Sequence, residues 1–438
     1  MRNKLISKKM RGSLPAMEKI MQQNVLELKI YRNSCHQWVY KKMVNIPRRG
    51  FNSALITRVV DKAGVFAGIG IFNPNSTVAI RFLTNNDESV DRAFFYKRLA
   101  GLKRLKEDML GLALNSDCYR LVHSESDGLP GLIIDKFNDY IMIKPYCAGY
   151  GGETMEFIAS SLVELYPGVR IMVVPDEKSC AKDGADYRAE IKKYYAGRAR
   201  TEINEFGVKF AVDFELGQKT GFFLDQKLNR RLAASMCRGM DVLDLCSYTG
   251  GFGISMKKAG ARSVTCIDTD ADAIAIARKN AKINGCDVEF LNINVFEYLR
   301  DSLAKEKIYD FIICDPAKLA ANKLELPRAY RTYGDLNKLA IQSVKDGGLL
   351  FTFSCTGLVS EKIFQSIIFN SAREAGASLK VLASAGPSPD HPYSSTFPEG
   401  KYLKGLLAQV EKSNYIFPKR LEDNDKNPEE NGKKTASK

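Results

Sequence analysis

Histidine is scarce in this 438-residue chain, at three, and tryptophan occurs once. The ten cysteines, at 35, 118, 147, 180, 237, 246, 266, 286, 314 and 355, form no Cys-x-x-Cys pair. A zinc site or disulfide framework is therefore not expected, no metal ligands are assigned, and a reducing compartment fits better. Most of these thiols are expected to be small buried hydrophobes. No apolar run approaches the roughly 18–20 residues that a membrane-spanning helix needs. The N-terminus lacks the apolar block and small-residue cleavage site of a secretory signal. Acidic residues are in deficit: 51 Asp and Glu face 65 Lys and Arg, a net charge of +14. The excess is concentrated in residues 1–50, with 12 basic and 2 acidic side chains. Such a basic pole attracts a polyanion, most often nucleic acid. A solvated tail or an organelle-targeting leader is the competing reading, and Glu18 with the scarcity of serine weighs against the leader.

What is present describes a soluble chain of several folded units: 45% hydrophobic and 26% charged residues exclude wholesale disorder and a fibrous protein. Residues 1–24 are basic and weakly patterned. From Val25 short alternating segments, Leu26–Tyr31, Ala54–Asp61, Val65–Phe72 and Thr77–Leu83, predict a small β-barrel over 25–85. Residues 86–200 mix a helix over Arg92–Met109, strands within Tyr119–Tyr146, a helix over Gly152–Tyr166 and a strand at Val169–Val174, an α+β domain. Residues 201–412 open with a strand-like segment at Phe206–Phe214. They then alternate short buried strands, at Asp241–Leu245, Val264–Ile267, Val288–Leu291, Phe311–Cys314 and Leu349–Ser354, with helices. This is an α/β, Rossmann-like, doubly wound sheet. The helix Ala271–Asn284 carries Thr269 or Asp270 as its N-cap and Gly285 at its end. The polar residues 413–438 are expected to be disordered.

The segment Val242–Gly260 carries the first chemistry. A strand is followed by Ser247-Tyr248-Thr249-Gly250-Gly251 and then a helix, so the backbone can approach a ligand closely at a helix N-terminus. The G-x-G-x-x-G of a dinucleotide site is missing from this turn, which makes a nicotinamide dehydrogenase remote. Asp268 ends the next strand, where a carboxylate can accept both hydroxyls of a ribose. Thr269 follows it, Asn294 follows the third strand, and Asp315 ends the fourth. Suitable groups at four successive strand ends suit an adenosine without diphosphate, S-adenosylmethionine. The competing reading is an α/β core whose turn happens to be glycine-rich.

Ser247–Phe252, Cys314–Ala320, Phe351–Gly357 and Asp390–Gly405, with Ser124–Phe137 and Gly217–Arg230, resemble the ribosomal RNA large-subunit cytosine-5 methyltransferases of the RlmI type. The resemblance runs in order from about Leu26 to Val410. It implies a PUA-like barrel, a central α+β domain and a class I S-adenosylmethionine-dependent methyltransferase domain, with ribosomal RNA as substrate. It maps the family's nucleophile onto Cys355, at the end of the strand Leu349–Phe353. A thiolate adding to carbon 6 of cytosine makes carbon 5 nucleophilic, and an acid near ring nitrogen 3 relieves the charge that builds up; Asp315 is placed for that role, or else holds the methionine part of the cofactor or caps the loop. Lys219, Thr220, Asp225 and Gln226 resemble the family's segment closing over the cofactor; otherwise they form a polar loop with Asp225 as a helix cap. Two departures stand out: Ala317 replaces a second proline after Asp315, and Asn294 stands where an Asp is usual. Relatives with two cysteines place one beside the motif's proline, but strand alternation turns Cys314 to the other side of the sheet. His391 is expected to be structural. His36, Trp38 and Tyr40 are candidates to stack on RNA or to fill the barrel, with Arg48 and Arg49 meeting phosphates.

The sequence thus leads to a cytosine-5 RNA methyltransferase, with a base-nitrogen methyltransferase or a non-catalytic RNA-binding factor as alternatives. It leaves monomer or homodimer open, and cytoplasm or organelle matrix.

Overall fold

The computed structural model describes residues 25–46, 54–194, 200–214 and 222–413. The basic segment 1–24, Arg48, Arg49, Lys219, Thr220 and the tail beyond 413 lie outside them.

The first sheet holds β1 (Val25–Glu27), β2 (Trp38–Tyr40), β3 (Leu55–Val60), β4 (Phe66–Phe72) and β5 (Val78–Thr84), in the order β1-β3-β4-β5-β2. Leu26, Val39, Val59, Phe72, Ile80 and Phe82 fill its interior. Gly70 has to be glycine, since a Cβ there would sit 2.6 Å from the Arg81 carbonyl oxygen. The sequence shows no sign of β2, which at three residues is too short for alternation to register. Trp38 neither faces outward for RNA nor fills the barrel. Its indole N–H donates to Glu125 Oε1 at 2.9 Å, and its ring packs 4.8 Å from that of Phe397, so it seals the barrel against the rest of the chain.

The middle sheet, β6 (Cys118–His123), β7 (Leu132–Phe137), β8 (Tyr140–Pro145) and β9 (Arg170–Val173), runs in sequence order, with only β8–β9 parallel. The helices Arg92–Lys103, capped by Asp91, and Glu153–Leu165 pack against it. Two seven-residue helices, Glu177–Asp183 and Arg188–Tyr194, are too short for their period to be read from sequence. Where one strand was expected over 206–214 there is a hairpin, β10 (Arg200–Glu205) and β11 (Val208–Asp213). Its two turn residues, Phe206 and Gly207, both have positive φ, the two-residue turn that suits the strand twist.

The last sheet has seven strands: β12 (Asp241–Leu245), β13 (Ser263–Asp268), β14 (Glu289–Asn292), β15 (Tyr309–Cys314), β16 (Val344–Ser354), β17 (Ala377–Ala385) and β18 (Lys404–Lys412). Their order is β14-β13-β12-β15-β16-β18-β17, parallel except that β18 runs against both its neighbours. Strand order reverses between β12 and β15, and a crevice opens there at the carboxyl ends. The division at 85/86 and 200/201 remains a proposed one, because apolar side chains pack across both. Ile56 and Ile71 join the core of the middle sheet, and Phe137 and Met142 join that of the last.

Arg230, on the helix Lys227–Met236, grips Glu205 of β10 through two bonds of 2.7 Å, both side chains nearly sealed from water. Glu205→Gln strands a buried guanidinium and is expected to cost about 3–5 kcal/mol by urea unfolding. Glu164→Gln, which breaks the exposed pair with Arg92, should cost under about 1 kcal/mol.

Candidate active site

After β12 the chain turns sharply. Cys246 and Tyr248 have φ of 61° and 48°, and Gly250 has φ of 81°, before the helix Gly251–Lys258 begins. Backbone strain of this kind persists only where surrounding contacts fix it. Here Asp268, at the end of β13, fixes it: Oδ2 accepts Tyr248 N at 2.8 Å and Oδ1 accepts Asp270 N at 2.9 Å. Each oxygen retains a second lone pair for a ligand. Asp244, at the heart of β12, takes the helix's first turn through Gly253 N at 2.9 Å. Its other oxygen, Oδ1, has no hydrogen-bond partner among the described residues. Burial, with Asp315 and Asp268 nearby, pushes this carboxyl up to about 7.

The crevice holds a cavity of about 380 Å³, within the usual size for small-ligand sites. Gln226, Ser247, Tyr248, Thr249, Asp268, Thr269, Asp315 and Cys355 all line it. Segments up to 129 residues apart, read separately from the sequence, therefore converge. Gly250 lies behind the wall, where its conformation lets the turn close; Gly251 faces the cavity in its place. Asn294 is not brought in. It is an exposed N-cap whose side-chain oxygen accepts Phe296 N at 2.9 Å, so the role of adenine acceptor does not fit it. Asp270, not Thr269, caps the helix Ala271–Ile283, which leaves Thr269 to the cavity. Asp225 is no helix cap either: it lines the cavity and accepts the Tyr402 hydroxyl at 2.5 Å.

Cys355 is partly exposed at the cavity wall, its Sγ 3.9 Å from the Pro316 carbonyl oxygen. Its neighbours are pinned. Ser354 Oγ donates to Tyr333 Oη at 2.9 Å, Tyr333 Oη lies 2.9 Å from Thr356 Oγ1, and Leu319 N donates to Thr356 Oγ1 at 3.1 Å. The strand end carrying Cys355 is thus bolted to the loop that follows Asp315. Gln226 Nε2 donates to Asp315 Oδ2 at 3.0 Å. Cys314 packs into the core on the other face of the sheet, and burial pushes its thiol up to about 12. Six of the ten cysteines are buried, but Cys35 is exposed, and Cys246 reaches the cavity, which nothing in the sequence signals. His391 is sealed against Asp390, its Nδ1 3.0 Å from Oδ1, and does not line the cavity. Phe222, Phe223, Arg230, Lys318 and Leu403 complete the wall unforeseen; only their place within the quoted motifs could have flagged them.

Residues 191–401 match the model of an S-adenosylmethionine-dependent methyltransferase, and residues 33–85 that of a PUA-like domain. The chain is 35% identical over 381 residues to ribosomal RNA large subunit methyltransferase I of Alteromonas mediterranea, covering 86% of this chain and 95% of the relative. The protein of the same name from Pseudoalteromonas atlantica is 37% identical over 384 residues, with the same coverage. The chain belongs to the ribosomal RNA large subunit methyltransferase I family. The crystal structure of SMU.776 complexed with SAH shares the fold, with a TM-score of 0.72 at 20% identity over 88% of this chain and 100% of that one. The enzyme is thus an S-adenosylmethionine-dependent methyltransferase with a PUA-like domain. The nicotinamide and non-catalytic alternatives fall away.

The residues present fit a cationic adenosine cofactor. The cavity is walled by Asp225, Asp268, Asp270 and Asp315, with Asp244 just beneath, in a chain of net charge +14. The lone acceptor on Asp244 and the glycine-lined helix N-terminus complete the cradle. Asp268→Ala is expected to weaken S-adenosylmethionine binding at least about tenfold by calorimetry. An acid raised above its unfolded value favours folding at low pH and loses that contribution as pH rises through the folded value. Asp244 should therefore withdraw on the order of 2–4 kcal/mol between pH 4 and 7. The stability of the cofactor-free Asp244→Asn variant, followed by urea unfolding against pH, should lack this decline.

Proposed function

We propose that this enzyme methylates carbon 5 of a cytosine in large-subunit ribosomal RNA through a covalent bond from Cys355. The observation that carries the reading is the position of Cys355: partly exposed, at a strand's carboxyl end, on the wall it shares with Asp268 and Asp315. Cys246 also touches the cavity, but it packs toward the opposite core, and burial pushes its thiol well above the ordinary value. The names of the relatives support ribosomal RNA as substrate. The same reading puts the enzyme with that RNA in the cytoplasm.

Ser247, Tyr248, Thr249, Gly251, Asp268 and Thr269 hold the cofactor, which when bound supplies an electrophilic methyl group. The Cys355 thiolate adds to carbon 6 of a flipped or unpaired cytosine, and the ring electrons move toward carbon 5. Asp315, oriented by Gln226, shares a proton with ring nitrogen 3 and so limits the charge. Carbon 5 then takes the methyl group. Loss of its proton to a base returns the electron pair, and the sulfur leaves from carbon 6. Lys318 and the basic residues of the barrel meet phosphates.

RNA carrying 5-fluorocytosine blocks the last proton loss and should leave a denaturant-resistant adduct at Cys355, read by gel shift and peptide mass spectrometry. Cys355→Ala should abolish the adduct and lower turnover by about 10³-fold or more. An adduct that survives Cys355→Ala refutes the nucleophile. Full activity in Cys355→Ser favours methylation of a base nitrogen instead.

A further inference from the structure

Strand β18 begins with a charge in an apolar place. Lys404 is 5% exposed, between Leu403 and the buried run Leu406–Ala408, and in the sheet register it lies directly opposite Ser354. A lone ammonium there is costly unless its donors are satisfied. Its Nζ donates to Thr356 O at 2.7 Å and to Val359 O at 2.6 Å, both on the loop that leaves Cys355. The carboxylate at hand, Glu361, is engaged by Lys401 at 2.8 Å rather than by Lys404. The ammonium is thus anchored by neutral carbonyls of the loop that leaves Cys355, and of the two negative groups that act on it the Cys355 thiol weighs more than Glu361.

We propose that Lys404 is a positioning residue for Cys355, clasping the loop from behind and supplying the positive charge that favours the thiolate. This rests on Cys355 being the nucleophile. Burial pulls the Lys404 ammonium down to about 8, and Cys355 is the largest influence pulling it back up. Other ionisable groups around the pair are Tyr333 from the helix Leu326–Ser343, Asp315 from the end of β15, exposed Lys318 and Asp225 on the shared cavity wall, and Glu361 and Lys401 at the rim. Tyr333 and Thr356 hold the loop from one side through hydroxyls that carry no charge; Lys404 holds it from the other and is the buried cation of the set. Removing the charge therefore has an effect that loosening the loop alone does not: the thiol becomes harder to ionise.

The test is the pH dependence of Cys355 alkylation by iodoacetamide, followed by peptide mass spectrometry on the full chain, with exposed Cys35 as internal reference. In the unmodified protein the Cys355 midpoint should lie about one pH unit or more below that of Cys35. Lys404→Met should raise the Cys355 midpoint by about one unit or more and leave Cys35 alone, whereas Lys404→Arg, which keeps the charge, should largely restore it. Coincident midpoints for Cys35 and Cys355 in the unmodified protein overturn the proposal even if Lys404→Met does not fold. So does a Lys404→Met midpoint that has not moved. Neither measurement uses RNA or cofactor. An adduct on fluorinated RNA with an unmoved midpoint sinks the role of Lys404 alone; a moved midpoint without any adduct sinks the nucleophile reading and leaves the charge pairing standing.

Discussion

The site depends on the carboxyl ends of β12, β13, β15 and β16 coming out at one edge of a parallel sheet. Parallel pairing forces each strand to return through a helix on one face, so the loops that follow the strands gather on one rim. Because β13 lies on one side of β12 and β15 on the other, the helices leave in opposite directions and the rim splits. The glycine turn after β12, Asp268, Asp315 and Cys355 stand around that split. The antiparallel β18, the last strand among the described residues, closes the far side and brings Lys404, with Tyr402 and Leu403 just before it, to the same place.

Electrostatics divides the molecule in two. The chain as a whole is basic, which draws a phosphate backbone from a distance. The cavity carries four aspartates against Arg230 and Lys318, an acidic excess that suits a ligand carrying a sulfonium and an ammonium.

One strap, from Gly386 to Leu403, joins the barrel, the middle sheet and the seven-stranded sheet. Phe397 packs on Trp38 of the barrel, and Asp390 Oδ2 accepts Arg120 N at 3.0 Å in the middle sheet, where Arg120 also grips Asp135. Tyr402 reaches Asp225 beside the cavity. Burial and the Arg120 charge hold His123 well below its ordinary value, hence neutral, in the same seam. These groups are too buried for chemistry on RNA. They tie the barrel to the elements around the cavity.

Composition and period alone were enough for the alternating barrel, the five buried strands and the helix capped at Asp270, because each is set by contacts within a few residues. The sharp glycine turn after β12 and the acid at the end of β13 were legible for the same reason, since both lie within a few residues of a strand end. What sequence could not supply was direction. Asn294 carries a suitable amide, yet a local bond to Phe296 N takes it away from the cavity. Trp38 was a candidate for RNA or for the barrel core, and the position of Phe397, 359 residues on, puts it in the seam instead. Lys404 reads as one more surface lysine until β18 pairs against β16 and lays it across from Ser354. Periodicity reports which side of its own element a residue occupies; what that side faces is set by strand order, and strand order is a property of the folded chain.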